Sequence, residues 1–222
     1  MGEVNQKPSE TTEIEAVPAN LDLNTEFECK YRVKDHDLIS FKKIVAEIPN
    51  PVRFLYVEGP DTYYKHPNGD ENSFGRYRRP SFGLDGGRSQ WTIKVKPKDA
   101  KNNKMRVEVN WEVNGTPEED IVRGAELQGF VFNFSIVKNC HIMTFDDATL
   151  VFYTVYDTTD GTKSTKVDHF VEIEVSEEKI RLGMTEAQAE ATVEKYEAIL
   201  APIEGVAKKR RLKQSLWEMY RR

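Results

Sequence analysis

Charged residues recur at alternate positions in several short stretches of this sequence. Glu26 and Glu28 precede Lys30, Arg76 is followed by Arg78, Lys94 by Lys96, Arg106 by Glu108, and Glu172 by Glu174. A spacing of two puts such side chains on one face of a β-strand. The sign of the charge sorts by stretch: acids at 26/28 and 172/174, bases at 76/78 and 94/96, one of each at 106/108. Arginine grips phosphate oxygens through its fixed fork and lysine acts as a compact point charge. Carboxylates offer the hard oxygen donors that suit Mg²⁺ or Mn²⁺. Taken strand by strand, each row also fits a solvated sheet face, or exposed cross-strand pairs that stabilise by about 0–1 kcal/mol each. Taken together, rows turned into one enclosed lumen would need compensation from both sides, and a metal-bound triphosphate satisfies both halves.

Such convergence requires strands. Period-two alternation begins at Thr25 and recurs at 54–57, 73–79, 91–96, 106–113, 131–138, 150–156 and 170–175, with β-branched and aromatic enrichment. The turn signals Pro67-Asn68-Gly69, Asp85-Gly86-Gly87 and Asp160-Gly161 separate them, which favours an antiparallel meander. About eight strands close into a barrel with room for side chains or one small ligand. The expected class is α+β: an antiparallel eight-stranded β-barrel over residues 25–180, with helices outside it. Residues 1–24 read as a tail and 181–222 as C-terminal helices packed on the barrel. Asp37 is expected to cap a helix with the stripe Leu38, Phe41, Ile44, Val45 and Ile48. Thr116-Pro117-Glu118-Glu119 suggests a capping box, and Thr185 with Gln188 opens another helix. Residues 208–222 read as a basic helix that docks Leu212, Leu216 and Met219 on the barrel and leaves its basic face solvated, with a lid of Arg210 or Lys213 over one tunnel mouth as the second reading.

The motifs resemble those of the CYTH, or triphosphate tunnel metalloenzyme, superfamily. Glu26-Phe27-Glu28-Cys29-Lys30 matches its ExExK signature. Asp61-Thr62-Tyr63-Tyr64 followed by Arg76-Tyr77-Arg78 looks like its DTYY…RxR hairpin, Thr92-Ile93-Lys94 like its TxK strand, Arg106-Val107-Glu108 like its RxE strand, and Phe170–Glu174 like its closing FxExE strand. The resemblance implies metal ligation by Glu26, Glu28, Glu172 and Glu174, with Glu108 as a further candidate. It implies phosphate binding by Arg76, Arg78, Lys94 and Arg106, and catalytic duty for Glu28, Lys30 and Arg78. Lys96 shares the face of Lys94 but lies outside the motif. Lys138 fits a K-x-R strand whose arginine is replaced here by Cys140.

Composition narrows the function. With 32 Lys+Arg against 37 Asp+Glu, the net charge of −5 disfavours a general nucleic-acid binder. No apolar run spans a membrane and no leader-like segment opens the sequence. Two cysteines make no disulfide framework, which fits a reduced, cytoplasmic setting. The four histidines show no metal-ligand spacing. The partner implied is a triphosphate-containing small molecule such as ATP or inorganic triphosphate, and the cyclase-like branch of the superfamily admits a homodimer. A triphosphatase using Mg²⁺ or Mn²⁺ ranks first and a class IV-type adenylate cyclase second. A non-catalytic nucleotide binder ranks below both, because the acidic set is intact.

Overall fold

A computed structural model describes residues 23–66, 69, 73–79, 82–83, 89–95, 105–161 and 166–222, with backbone alone at 23–25, 82–83 and 105–106. Strands β1 (Leu23–Val33), β2 (Arg53–Lys65), β3 (Phe74–Arg78), β4 (Phe82–Gly83), β5 (Gln90–Val95), β6 (Met105–Glu112), β7 (Val131–Thr144), β8 (Ala148–Asp157) and β9 (Val167–Val175) are all joined antiparallel. The pairing order runs β3-β5-β6-β1-β9-β8-β7-β2, and β3 also pairs with β2. That last pairing closes eight strands into a ring, the expected number. Two-residue β4 hangs on β2 outside the ring.

The ring sorts side chains by parity. Outward apolar residues of β1, β8 and β9, among them Tyr31, Phe152 and Ile173, pack under two helices, α1 (Asp37–Glu47) and α4 (Glu186–Leu200). Phe41 of α1 reaches Phe152 at 5.8 Å between ring centroids. A second outer cluster of Tyr64, Tyr77 and Trp91 lies under Ile121 and Ala125 of α2 (Glu118–Leu127). Gly75 is required there, because a Cβ at that position would stand 2.8 Å from Trp91. Covering the apolar faces with helices leaves the charged parity pointing inward.

Several local expectations are revised. β1 starts at Leu23, two residues before the expected boundary, while residues 1–22 of the proposed tail lie outside the described residues. Asp37 is the first residue of α1, its carboxylate accepting from the Lys34 backbone N–H at 2.8 Å. The expected capping box at Thr116 does not form: Pro117 is the N-cap and α2 begins at Glu118 without side-chain capping. The box at Thr185 and Gln188 does form, and a second closes between Ser215 and Glu218. A short helix α3 (Glu177–Arg181) follows β9 directly.

The largest revision is at the C-terminus. Residues 208–222 are not one basic helix. A 3₁₀ turn (Lys208–Arg210) gives way to extended chain, where the Leu212 N–H donates to the Lys30 carbonyl at 2.8 Å, and then to a single-turn helix α5 (Leu216–Tyr220). Lys208 and Arg211 are drawn to glutamates of α4, which breaks the helical spacing.

Candidate active site

The ring encloses a cavity of about 550 Å³, bordered by Glu26, Glu28, Lys30, Arg76, Arg78, Lys94, Glu108, Lys138, Glu172 and Glu174. Every charged position inferred from the sequence therefore meets in one place, apart from two. Lys96 lies outside the described residues. Arg106 is described by its backbone alone, which pairs with Glu26 across β1 and β6.

Register explains the grouping. Glu28 faces Glu174 and Lys30 faces Glu172 across β1 and β9, while Lys94 faces Glu108 across β5 and β6. The Lys30 ammonium sits 3.1 Å from Glu172 and 3.4 Å from Glu28. Lys94 donates to both oxygens of Glu26, at 2.8 and 2.6 Å, and lies 2.6 Å from Glu108. Lys138 lies 4.4 Å from the Tyr153 ring centre, and the Tyr153 hydroxyl donates to Glu172 at 3.0 Å.

The two arginines differ. Arg78 makes a fork on Asp61, with Nε at 2.9 Å and Nη2 at 3.1 Å. Its side chain still keeps 36% of its surface open, so the guanidinium can meet a second anion. Burial would raise the Asp61 carboxyl, but Arg78 and Arg76 hold it well below the usual carboxylate range. Arg76 is buried, donates to Thr92 Oγ1 at 3.3 Å, and lies 3.6 Å from Glu108. Its Nε is buried with no hydrogen-bond partner. Such an orphan donor costs about 1–3 kcal/mol, and an anion in the cavity would satisfy it.

The acids are crowded enough to hold protons. Burial first, then a hydrogen bond to Glu108, raises Glu26 well above its ordinary value, even against Lys94. Glu108 opposes it: despite its burial, Lys94, Glu26 and Arg76 hold it low. Within this pair Glu26 is the member held up and Glu108 the member held down. Glu174 is pushed up to about 8 by burial and by the neighbouring Glu172 and Glu28. Carboxylate oxygens of Glu26, Glu174 and Glu177 all lie within 4.8 Å of one another. Hard oxygen donors gathered this closely, with the crowding that raises two of them, fit a divalent cation.

Sequence reasoning missed Asp61 as the partner of Arg78, Glu177 at the start of α3, and Ser215, Leu216 and Trp217 at the cavity wall. Asp61 had a signal, since it shares its strand face with Tyr63 in the quoted hairpin motif. Glu177 lies in a helix, where strand alternation does not reach. The expected lid residues are placed elsewhere: Arg210 donates to the Glu204 carbonyl at 2.8 Å, and neither it nor Lys213 borders the cavity. Cys140 does border it, on the inward face beside Lys138. Burial raises its thiol, which argues against a nucleophile.

No family model and no curated protein matches the chain. Solved structures do. A Pyrococcus horikoshii protein superposes with a TM-score of 0.64 at 18% identity, covering 89% of this chain and 99% of its own. A conserved hypothetical protein of Pyrococcus furiosus gives 0.62 at 20%, covering 87% and 98%. A candidate adenylate cyclase from Vibrio parahaemolyticus gives 0.56 at 20%, covering 88% and 97%. At these identities the likeness establishes the fold alone, an antiparallel barrel with helices packed outside it.

Proposed function

We propose that this chain is a metal-dependent phosphohydrolase of the CYTH type, acting on a triphosphate-bearing small molecule held in the tunnel. The observation that carries this reading is the convergence of Arg76, Arg78, Lys94, Lys30 and Lys138 with Glu26, Glu28, Glu108, Glu172 and Glu174 around one cavity. Phosphoryl transfer asks a protein mainly for positioning and charge neutralisation, and this set offers both. Bound by Glu26, Glu174 and Glu177, with Glu28 and Glu172 beside them, Mg²⁺ or Mn²⁺ would supply Lewis-acid polarisation of phosphoryl oxygens.

The protein's own groups divide the remaining work. Asp61 fixes the Arg78 fork in direction, so that its open edge meets phosphate oxygens already oriented. Arg76 offers its unpartnered Nε. Lys94 remains protonated although burial pulls it down, because Glu26 and Glu108 hold its charge. Glu28 and Glu172, next to Lys30, are placed to orient a water molecule and accept its proton. In this reading the tunnel's carboxylates would turn from their ammonium partners to the cation, and the ammonium and guanidinium groups would turn to the phosphates.

Cyclisation of ATP is the second reading, favoured by the likeness to the Vibrio protein and by the Asp61–Tyr64 hairpin. Hydrolysis stands first because it needs only the clamp, the carboxylates and water, whereas a cyclase must also place a ribose 3′-hydroxyl against the α-phosphorus. Incubation with inorganic triphosphate, ATP and GTP in Mg²⁺ and then Mn²⁺, followed by product separation, decides between them. Orthophosphate is the expected product. A cyclic nucleotide with pyrophosphate selects the cyclase, and no turnover of any substrate removes both.

A further inference from the structure

The inward positions change character along the tunnel. On β3 they run from Arg78 and Arg76 to Phe74, on β7 from Lys138 to Ile136 and Phe134, and on β9 from Glu174 and Glu172 to Phe170. At that end the described inward side chains form an apolar core, in which Phe134, Ile136, Tyr153, Val155 and Phe170 are fully buried, with Lys94 level with Phe74 and Asp168 paired to Arg32 beside it. Helix α5 completes this core with Leu216, Trp217 and Tyr220. The Trp217 indole stacks on Phe74 at 5.2 Å and 18°, and on Phe134 at 5.7 Å, and its edge borders the cavity.

The segment carrying Trp217 is tied down on both sides. Arg211 forks on Glu197 at 2.6 Å through two nitrogens, and Glu197 also accepts from the buried Tyr31 hydroxyl at 2.6 Å. The Tyr220 hydroxyl donates to Asp168, and Arg222 reaches Asp160 at 2.7 Å and Asp157 at 3.2 Å. Paired charges and backbone bonds at both ends mark a fixed wall, not a swinging lid. A phosphate chain crossing it would give up water for aromatic carbon, at several kcal/mol per charge. Among the described residues, the cavity lining away from α5 includes Arg79, Gln90, Glu112 and Glu177.

We propose that the tunnel is blind: α5 forms its fixed floor, so the site takes a phosphate chain only by a free end and excludes internal segments of a long polyphosphate. This rests on the triphosphate reading above and narrows its substrate class to terminal triphosphates.

The test uses the full chain in Mg²⁺ and follows calorimetrically the part of binding that is lost in Arg76→Ala. The probes are inorganic tripolyphosphate, a long linear polyphosphate, and the same polymer with both ends blocked as phosphoramidates. Tripolyphosphate and the uncapped polymer should bind, and the capped polymer should bind about tenfold or more weakly. Truncation after Arg211, which removes the floor, should bring the capped polymer close to the uncapped one. If that variant does not fold, the wild-type comparison still decides. Arg76-dependent binding of the capped polymer at an affinity within about twofold of the uncapped one overturns the blind tunnel and leaves the triphosphate reading standing. No binding of tripolyphosphate removes that reading, and the blind pocket with it.

Discussion

Replacing Glu174 by glutamine should make the metal-free protein more stable at alkaline pH, relative to wild type, although the change removes a charged residue. Glu174 is raised from 4.5 to about 8 by burial and by Glu172 and Glu28. Between those values the folded protein holds a proton that the unfolded chain has released. The stability contributed by this group is therefore complete below about pH 4.5 and is lost as pH rises through about 8. At about 1.4 kcal/mol per pH unit, that interval sets a ceiling of about 5 kcal/mol, and tunnel water screening the carboxylate reduces it to about 2–3 kcal/mol. For a chain of this size the difference corresponds to roughly 5–10 °C in Tm. The assay is thermal or urea unfolding of both proteins in chelator, in steps from about pH 5.5 to 8.5. Wild type and Glu174→Gln should be close at the acid end, and the variant should gain steadily above neutrality. Added Mg²⁺ should flatten the wild-type curve, because the cation stabilises the ionised carboxylate in place of the proton. Parallel curves for the two proteins would refute the crowding argument.

Other consequences follow from single contacts. Arg78→Ala leaves the Asp61 carboxylate buried without its fork and should cost about 3 kcal/mol in urea unfolding, with much of the loss recovered in the double variant Asp61→Asn/Arg78→Gln. Gly205→Ala forces a Cβ to within 2.2 Å of the Arg32 carbonyl oxygen, so the backbone must move; a loss of at least about 2 kcal/mol is expected by the same measurement. Arg211→Ala strips Glu197 of its fork and should expose 212–222 to limited proteolysis far faster than wild type, while the barrel fragment persists. Glu28→Gln should abolish turnover of inorganic triphosphate with circular dichroism unchanged.

Much of this architecture was legible because strand parity is a strict code. Once alternation at 26–30, 76–78, 94, 108 and 172–174 is granted, a closed ring leaves those positions only one side to share. Closure itself came from the β3–β2 pairing, a contact that no local pattern carries. The C-terminal segment was misread for a related reason. Leu212, Leu216 and Met219 have helical spacing, yet Arg211 finds a stronger partner in Glu197, and Leu212 joins Lys30 by a backbone bond. Tertiary partners overrode the periodic signal. The inward aromatic rows at Phe134, Tyr153 and Phe170 were visible as strand residues but not as a plug, because period two cannot tell which end of a tunnel is filled.

The central claim is that these charges form one ligand site, and a calorimetric titration of inorganic triphosphate in Mg²⁺ tests it most directly. Arg76 is the residue to vary, since its buried Nε is the donor left without a partner. One binding event per chain, weakened at least about tenfold in a folded Arg76→Ala variant and weakened again by chelator, is the predicted result. Equal affinity in the two proteins, or a wild type that takes up no triphosphate, would contradict it.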